Sequence, residues 1–281
     1  MYFKKTNTVH ILIKHTSKII FLLLAVLIFS SCSKSDEVVS PGSPADTSTN
    51  FKYPYSINSN WFFTTTKNFT FRPDSARAYI SGIDSSIESG YAVWKNDTVI
   101  NGVNARVLRS NHTSSNHSFN TTECYVQTDT GLVNLAYDIE VSFGPFRPGS
   151  NSLHYFSSTS DFVSEISSAV SPVNCLQYPI RTNHEWYFRN LSPTQVQTKK
   201  YLNYEQIPTS VGTYKCIKIQ RINYVNGIQD TNFVWFDYFS KIGMVKRSYT
   251  RKNIPVYFSG NIIGYYDIGH EVVLNSVNII P

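Results

Sequence analysis

Two stretches of this chain copy one another, and that repetition limits the fold more than any other feature. Tyr53-Pro54, Asn58, Trp61 and Phe63 recur as Tyr178-Pro179, Asn183, Trp186 and Phe188, always 125 residues on, and Phe62 aligns with Tyr187. Farther along, Gly131-Leu132-Val133 with Tyr137 matches Gly243-Met244-Val245 with Tyr249, now 112 residues on. Between these matches, Asn101-Gly102 leads into Ala105–Leu108, and Val211-Gly212 leads into Cys216–Ile219. The order is the same in both halves, which reads as a duplication. The second copy is shorter by 125 − 112 = 13 residues, about one hairpin.

Each copy has the grammar of antiparallel strands. Tyr (19) and Phe (18) far outnumber Met (2), and Thr, Val and Ile recur throughout, a composition suited to pleated, half-buried surfaces. Asn101-Gly102 and Asn226-Gly227 sit between β-branched or aromatic runs and predict tight hairpins, because both central residues of such turns need positive φ. Asp129-Thr130-Gly131 and Lys241-Ile242-Gly243 supply further turns. A strand pair, Ile254–Ser259 and Ile262–Asp267, is expected around Gly260-Asn261, with a last strand over Glu271–Ile279. The expected fold class is all-β: two related antiparallel meanders, as a sandwich or open half-barrel. At most one short helix stands between them, over Phe162, Ile166, Ala169 and Val170, capped by Ser160 or Asp161 and stopped before Pro172.

The N-terminus gives an address. Lys4, Lys5, Lys14 and Lys18 precede eleven uninterrupted apolar residues, Ile19 to Phe29, followed by Ser30-Ser31-Cys32. Eleven helical residues span roughly 16 Å, about half the hydrocarbon core of a bilayer, which suits a signal peptide better than a membrane span. Those lysines also carry most of the net charge of +6: beyond residue 31, 21 basic side chains face 19 acidic ones, so no nucleic-acid partner is expected. Phe29-Ser30-Ser31-Cys32 resembles the lipobox of bacterial lipoproteins, which implies cleavage before Cys32, lipidation of its thiol with palmitate-type chains, and acylation of the new amine. Residues 33–50 lack aromatics and are rich in Ser, Pro and Asp, as in a flexible tether. Cys32-Ser33-Lys34-Ser35-Asp36-Glu37 is similar to the signal of surface-displayed lipoproteins of the Bacteroidota.

The expected organisation is therefore a signal peptide (1–31), lipidated cysteine and tether (32–50), a first β repeat (51–150), a linker (151–175), and a second repeat with C-terminal strands (176–281). The part from residue 51 on resembles uncharacterised outer-membrane lipoproteins of the Bacteroidota. Its marks are Tyr53, Pro54, Trp61 and Phe63, then Tyr178, Pro179, Trp186 and Phe188, with Gly243-Met244-Val245 closing. That family carries Gly shortly before the Trp pair. Here Asn58 and Asn183 occupy the region, a mild departure because Asn tolerates positive φ. The resemblance implies an antiparallel β fold at the outer membrane, and no active site comes with it.

Catalytic motifs do not emerge. His270-Glu271 begins like a zinc-protease helix, but Leu274 stands where the second His is needed. His112 and His117 flank a Ser/Asn-rich stretch that reads as a solvated hairpin loop. Asp138 and Glu140 fall on one face of a strand, where a hydrolase pair could sit and where two solvent-facing acids are the plainer reading. Cys124, Cys175 and Cys216 are odd in number, leaving at least one thiol, and either buried thiols or one disulfide fits. No cofactor or metal is expected. Phe233–Phe239 puts bulky rings on both faces of one strand, so something must cover the second face. Trp61, Trp186, Trp235 and Tyr238 are the candidate platform for a glycan, lipid or envelope-protein partner. The expected role is a non-catalytic, membrane-anchored binding or interaction module. The alternatives are a hydrolase of envelope or extracellular polymers and a structural subunit of an outer-membrane assembly.

Overall fold

In a computed structural model of the chain, the described residues are 51–80, 87–113, 118–141 and 172–281. The leader, Cys32, the tether, His117 and the helix expected near residues 160–170 lie outside them. The strands are β1 Asn60–Arg72, β2 Glu88–Ile100, β3 Val103–Thr113, β4 Ser118–Gln127, β5 Gly131–Val141, β6 Val173–Gln177 and β7 Glu185–Ser192, followed by β8 Gln195–Thr209, β9 Gly212–Val225, β10 Ile228–Gln229, β11 Phe233–Ser240, β12 Gly243–Phe258 and β13 Asn261–Asn278. All lie in one antiparallel sheet, ordered β6-β5-β4-β3-β2-β1-β13-β12-β11-β9-β8-β7, with β10 beside β9. The all-β expectation holds, and the two meanders share this single sheet because β13 returns to pair with the whole of β1, from Asn60 to Arg72.

The sheet curls into a near-barrel. The end strand β6 meets β7 and β8 through side chains rather than a ladder. Trp186 Nε1 donates to the Asn174 carbonyl (2.9 Å) and Lys199 Nζ to the Cys175 carbonyl (3.0 Å). The Tyr201 hydroxyl donates to the Gln177 carbonyl (2.7 Å) and accepts from the Gln177 N–H (3.0 Å). These bonds satisfy backbone groups that an edge strand would otherwise leave open. Val173–Gln177, which straddles the expected boundary between linker (151–175) and second repeat, is thus a strand paired with β5.

Alternation sets which side chains enter the barrel. In β1, Trp61, Phe63, Thr65 and Lys67 are buried, while Phe62, Thr66 and Asn68 are exposed. The hairpin turns follow the Asn-Gly pairs: φ is 51° and 80° at Asn101-Gly102, and 52° and 78° at Asn226-Gly227. Asn58 (69°) and Asn183 (64°) also take positive φ. Each is locked to a neighbouring strand in the same way. Asn58 N–H donates to the Trp94 carbonyl and Trp94 N–H to that of Ser59, as Asn183 N–H does to Tyr201 and Tyr201 N–H to His184.

Two expectations need correction. The strands read separately at the C-terminal end are continuous in β12 and β13, of 16 and 18 residues. The polar break at Arg251–Asn253 is absorbed as a bulge, with Asn253 at φ 56°. The turn after β12 is Ser259-Gly260 (46° and 81°), one residue earlier than expected, because Asn261 pairs with Phe258 in the ladder. The helical element among the described residues is a 3-10 turn, Asp74–Tyr79, after β1. Its Ala76 packs so tightly on Gly264 that a Cβ there would lie 2.9 Å from the Ala76 Cβ and 2.7 Å from the Arg72 carbonyl oxygen.

Candidate functional site

The barrel interior is layered. At the end where β1 begins, Tyr53, Trp61, Trp94, Trp186 and Phe239 belong to one apolar cluster. At the other end, Phe71, Ala76 and Val256 form a small core beneath the 3-10 turn. Between them lies a charged layer that the sequence reading did not foresee. Lys199, Arg221, Asp237 and Arg247 are each 1% exposed, and Lys67 and Glu88 are 5% and 1%.

Two ionic groups make up this layer. In the first, Asp237 accepts from Arg247 Nε (2.5 Å) and Trp235 Nε1 (2.9 Å), with Arg221 Nη2 3.6 Å away. The Arg221 guanidinium also lies 4.0 Å from the Trp235 ring centroid, and Lys199 Nζ lies 4.1 Å from that of Phe188, so aromatic faces share the cationic charge. Burial pushes the Asp237 carboxyl up, but Arg247, Arg221 and Lys199 together outweigh it and hold it below the ordinary aspartate value. Burial also lowers Lys199 to about 7 and Arg221 to about 10. In the second group, Lys67 and His112 each bond one oxygen of Glu88. Burial raises the Glu88 carboxyl; His112 and Lys67 bring it below the usual glutamate range.

A consequence is acid lability. Burial first, and then Lys67 and His112, depress the His270 imidazole from 6.5 to about 4. On acidification the unfolded chain therefore takes up this proton before the folded one. The stabilisation is present above pH 6.5 and is lost as pH falls toward 4, and Glu88 adds to the loss below about 4.5. The unfolding free energy from urea titration should fall between pH 6.5 and 4, by about 3 kcal/mol for the His270 part. A His270→Leu variant should show a flatter profile in that window; an unchanged profile would refute the assignment.

The residues named from sequence are placed as follows. Trp61 is 0% exposed, Trp186 6%, Trp235 3% and Tyr238 7%, so the described conformation presents none of the four as a surface platform. Trp61, Trp186 and Tyr238 share the large apolar cluster, while Trp235 packs with Phe233 and Tyr249 beside the charged layer. The register shift between Tyr238 and Phe239 buries rings from both faces of β11. Cys124, Cys175 and Cys216 are buried free thiols, with pKa values raised by burial, to about 11 for Cys175 and about 12 for Cys216. His112, read as a loop residue, lies in β3 as the Glu88 partner, and His270-Glu271 lies in strand β13. Asp138 and Glu140 stand two apart on β5, opposite Thr122 and Asn120; their side chains lie outside the described set.

A cavity of about 20 Å³, lined in part by Phe63, Asn111, His112, Arg247 and Val272, matches one water molecule. No group of three or more His, Cys, Asp or Glu positioned for a metal occurs among the described residues. Large exposed apolar side chains gather at the far end of the β12–β13 hairpin: Tyr257 (59%), Phe258 (54%), Ile262 (49%) and Tyr265 (41%), with Tyr79 (50%) of the 3-10 turn against Phe258, ring centroids 4.8 Å apart. The signal available from sequence was the run Pro255–Tyr266 itself, apolar on both faces of a hairpin.

No protein-family model matches the chain, and no curated protein matches it. Among solved structures, a candidate lipoprotein from Parabacteroides distasonis aligns with 82% of this chain and 99% of its own, at 9% identity and a TM-score of 0.31. A candidate exported protein with a YmcC-like fold from Bacteroides fragilis aligns over the same shares, at 10% identity and a TM-score of 0.31. At that TM-score, neither likeness bears on what this chain does.

Proposed function

We propose that this protein is an envelope lipoprotein of the outer membrane, anchored through Cys32, whose duplicated β-barrel acts as a non-catalytic interaction module. The observation that carries the anchoring is sequential: four lysines, eleven apolar residues, then Ser30-Ser31-Cys32. Each buried methylene of an acyl chain contributes about 0.8 kcal/mol, so two or three chains hold effectively permanently. The interaction reading is supported by the large apolar side chains exposed on the outer surface, Tyr257, Phe258, Ile262 and Tyr265 among them. Duplication is supported by strand order. Strands β1 to β6 and the set β7, β8, β9, β11, β12, β13 follow each other head to tail around the sheet, and the Asn58 and Asn183 locks occupy matching places.

The test is fractionation of cells expressing Cys32→Ala. The wild type should sediment with outer membranes and take up a palmitate label. The variant should lose the label and its normal trimming. A variant that is trimmed normally and remains membrane-bound would overturn the anchor.

A further inference from the structure

We propose that the end of the β12–β13 hairpin is a membrane-docking tip that enters the interface of an anionic phospholipid bilayer. The hairpin projects. Strand β11 accompanies β12 only as far as Arg251, and β1 accompanies β13 only up to Tyr265, so residues 254–264 extend past both neighbours. Tyr257 stands across from Ile262, and Tyr265 across from Pro255 and Arg72. Phe258 meets Tyr79, giving the tip apolar side chains on both faces.

The chemistry is ordered by depth. Ile262 and Phe258 lie two residues from Gly260, Tyr257 and Tyr265 follow with Arg72 level with Tyr265, and Arg251 and Lys252 stand behind them. Arg77 lies on the 3-10 turn beside the tip, and among the described residues the acids at this end are Asp74 and Asp267, the latter paired with Arg72. Aliphatic and Phe outermost, Tyr next and Lys/Arg behind is the sequence of environments that a bilayer offers from its hydrocarbon to its headgroups. A protein groove imposes no such order, a glycan site is concave rather than projecting, and Pro255 hinders addition of an extended strand at this open edge.

The tether permits the contact. The described chain starts at Phe51, beside the barrel end that holds Trp61 and Gly243, and β12 runs about 50 Å from there to the tip. Residues 33–50 reach at most about 60 Å when extended. Lipid and tip can thus share one bilayer. This geometry, though not the chemistry of the tip, rests on the lipoprotein reading.

The experiment uses the mature lipidated protein in vesicles of phosphatidylethanolamine and phosphatidylglycerol, with an environment-sensitive fluorophore on Asn261→Cys at the tip or Val99→Cys at the opposite end. Nitroxide lipids should quench the Asn261→Cys label at least threefold more than the Val99→Cys label, and adding Ile262→Asp or Tyr257→Asp should abolish the difference. Equal quenching, or quenching indifferent to both substitutions, would overturn the tip and leave a protein or glycan as its occupant. The two readings fail separately. Without the lipid anchor, vesicle binding would vanish with Ile262→Asp; without the tip, binding would persist with the Asn261→Cys label unquenched.

Discussion

Replacing Asp237 by asparagine should cost about 3–5 kcal/mol of folding stability, a third or more of what a typical domain possesses. The substitution keeps the shape of the side chain and removes only its charge. Asp237 accepts from Arg247 and Trp235 and neutralises a layer that also holds Arg221 and Lys199, all of them buried. Without the carboxylate, these cations remain in a medium that solvates them poorly, and the penalty is the desolvation of uncompensated charge rather than the loss of one hydrogen bond. Urea titration at pH 7 reads the effect. A loss under about 1 kcal/mol would mean that water reaches this layer and that the ionic core does not exist as described. Exchanging Asp237 and Arg247 together for apolar residues of similar size should be far milder than Asp237→Asn alone.

Trp61→Ala should be comparably severe, at about 3–5 kcal/mol. The indole is fully buried at the point where β1, β13 and the start of β12 converge, and its Nε1 donates to the Ile242 carbonyl at 2.6 Å. Tyr53 packs beside it, ring centroids 5.6 Å apart. The fit is tight enough that a Cβ on Gly243 would sit 2.7 Å from Trp61 Nε1 and 2.9 Å from the Tyr53 hydroxyl, and Gly243 has φ +103°. Removing the indole opens a cavity and strips a buried carbonyl of its donor. The neighbouring residue is the control: Phe62, 45% exposed on the outer face, should lose less than about 1 kcal/mol when truncated to Ala. Equal effects at the two positions would contradict the assignment of faces in β1.

How far the sequence foretold this molecule depends on what each residue reports. Asn101-Gly102 and Asn226-Gly227 declare their turns locally, since few other pairs accept two positive φ values, and so they were legible. The conformation of Asn58 and Asn183 was legible for the same reason. The charged layer was not. Lys199 stands between Thr198 and Lys200, Arg247 between Lys246 and Ser248, and Arg221 next to Gln220, in polar runs that read as solvated strand, and only closure of the sheet puts these cations inside. One signal existed: Asp237 lies two residues from both Trp235 and Phe239 in an aromatic strand, a place where a carboxylate must find buried cations. The aromatic platform failed to appear at Trp61, Trp186, Trp235 and Tyr238 because alternation alone does not say which face of a strand meets water. The tip was half legible. Its turn was foreseen within one residue, while its projection depends on where β11 and β1 end.

The measurement closest to the heart of the account is the intact mass of the protein isolated from cells that produce it natively. A chain running from Cys32 to Pro281, heavier by two or three fatty acyl groups all located on the first residue, is the predicted result. A chain that begins elsewhere, or that begins at Cys32 with a bare thiol and a free amine, would contradict it.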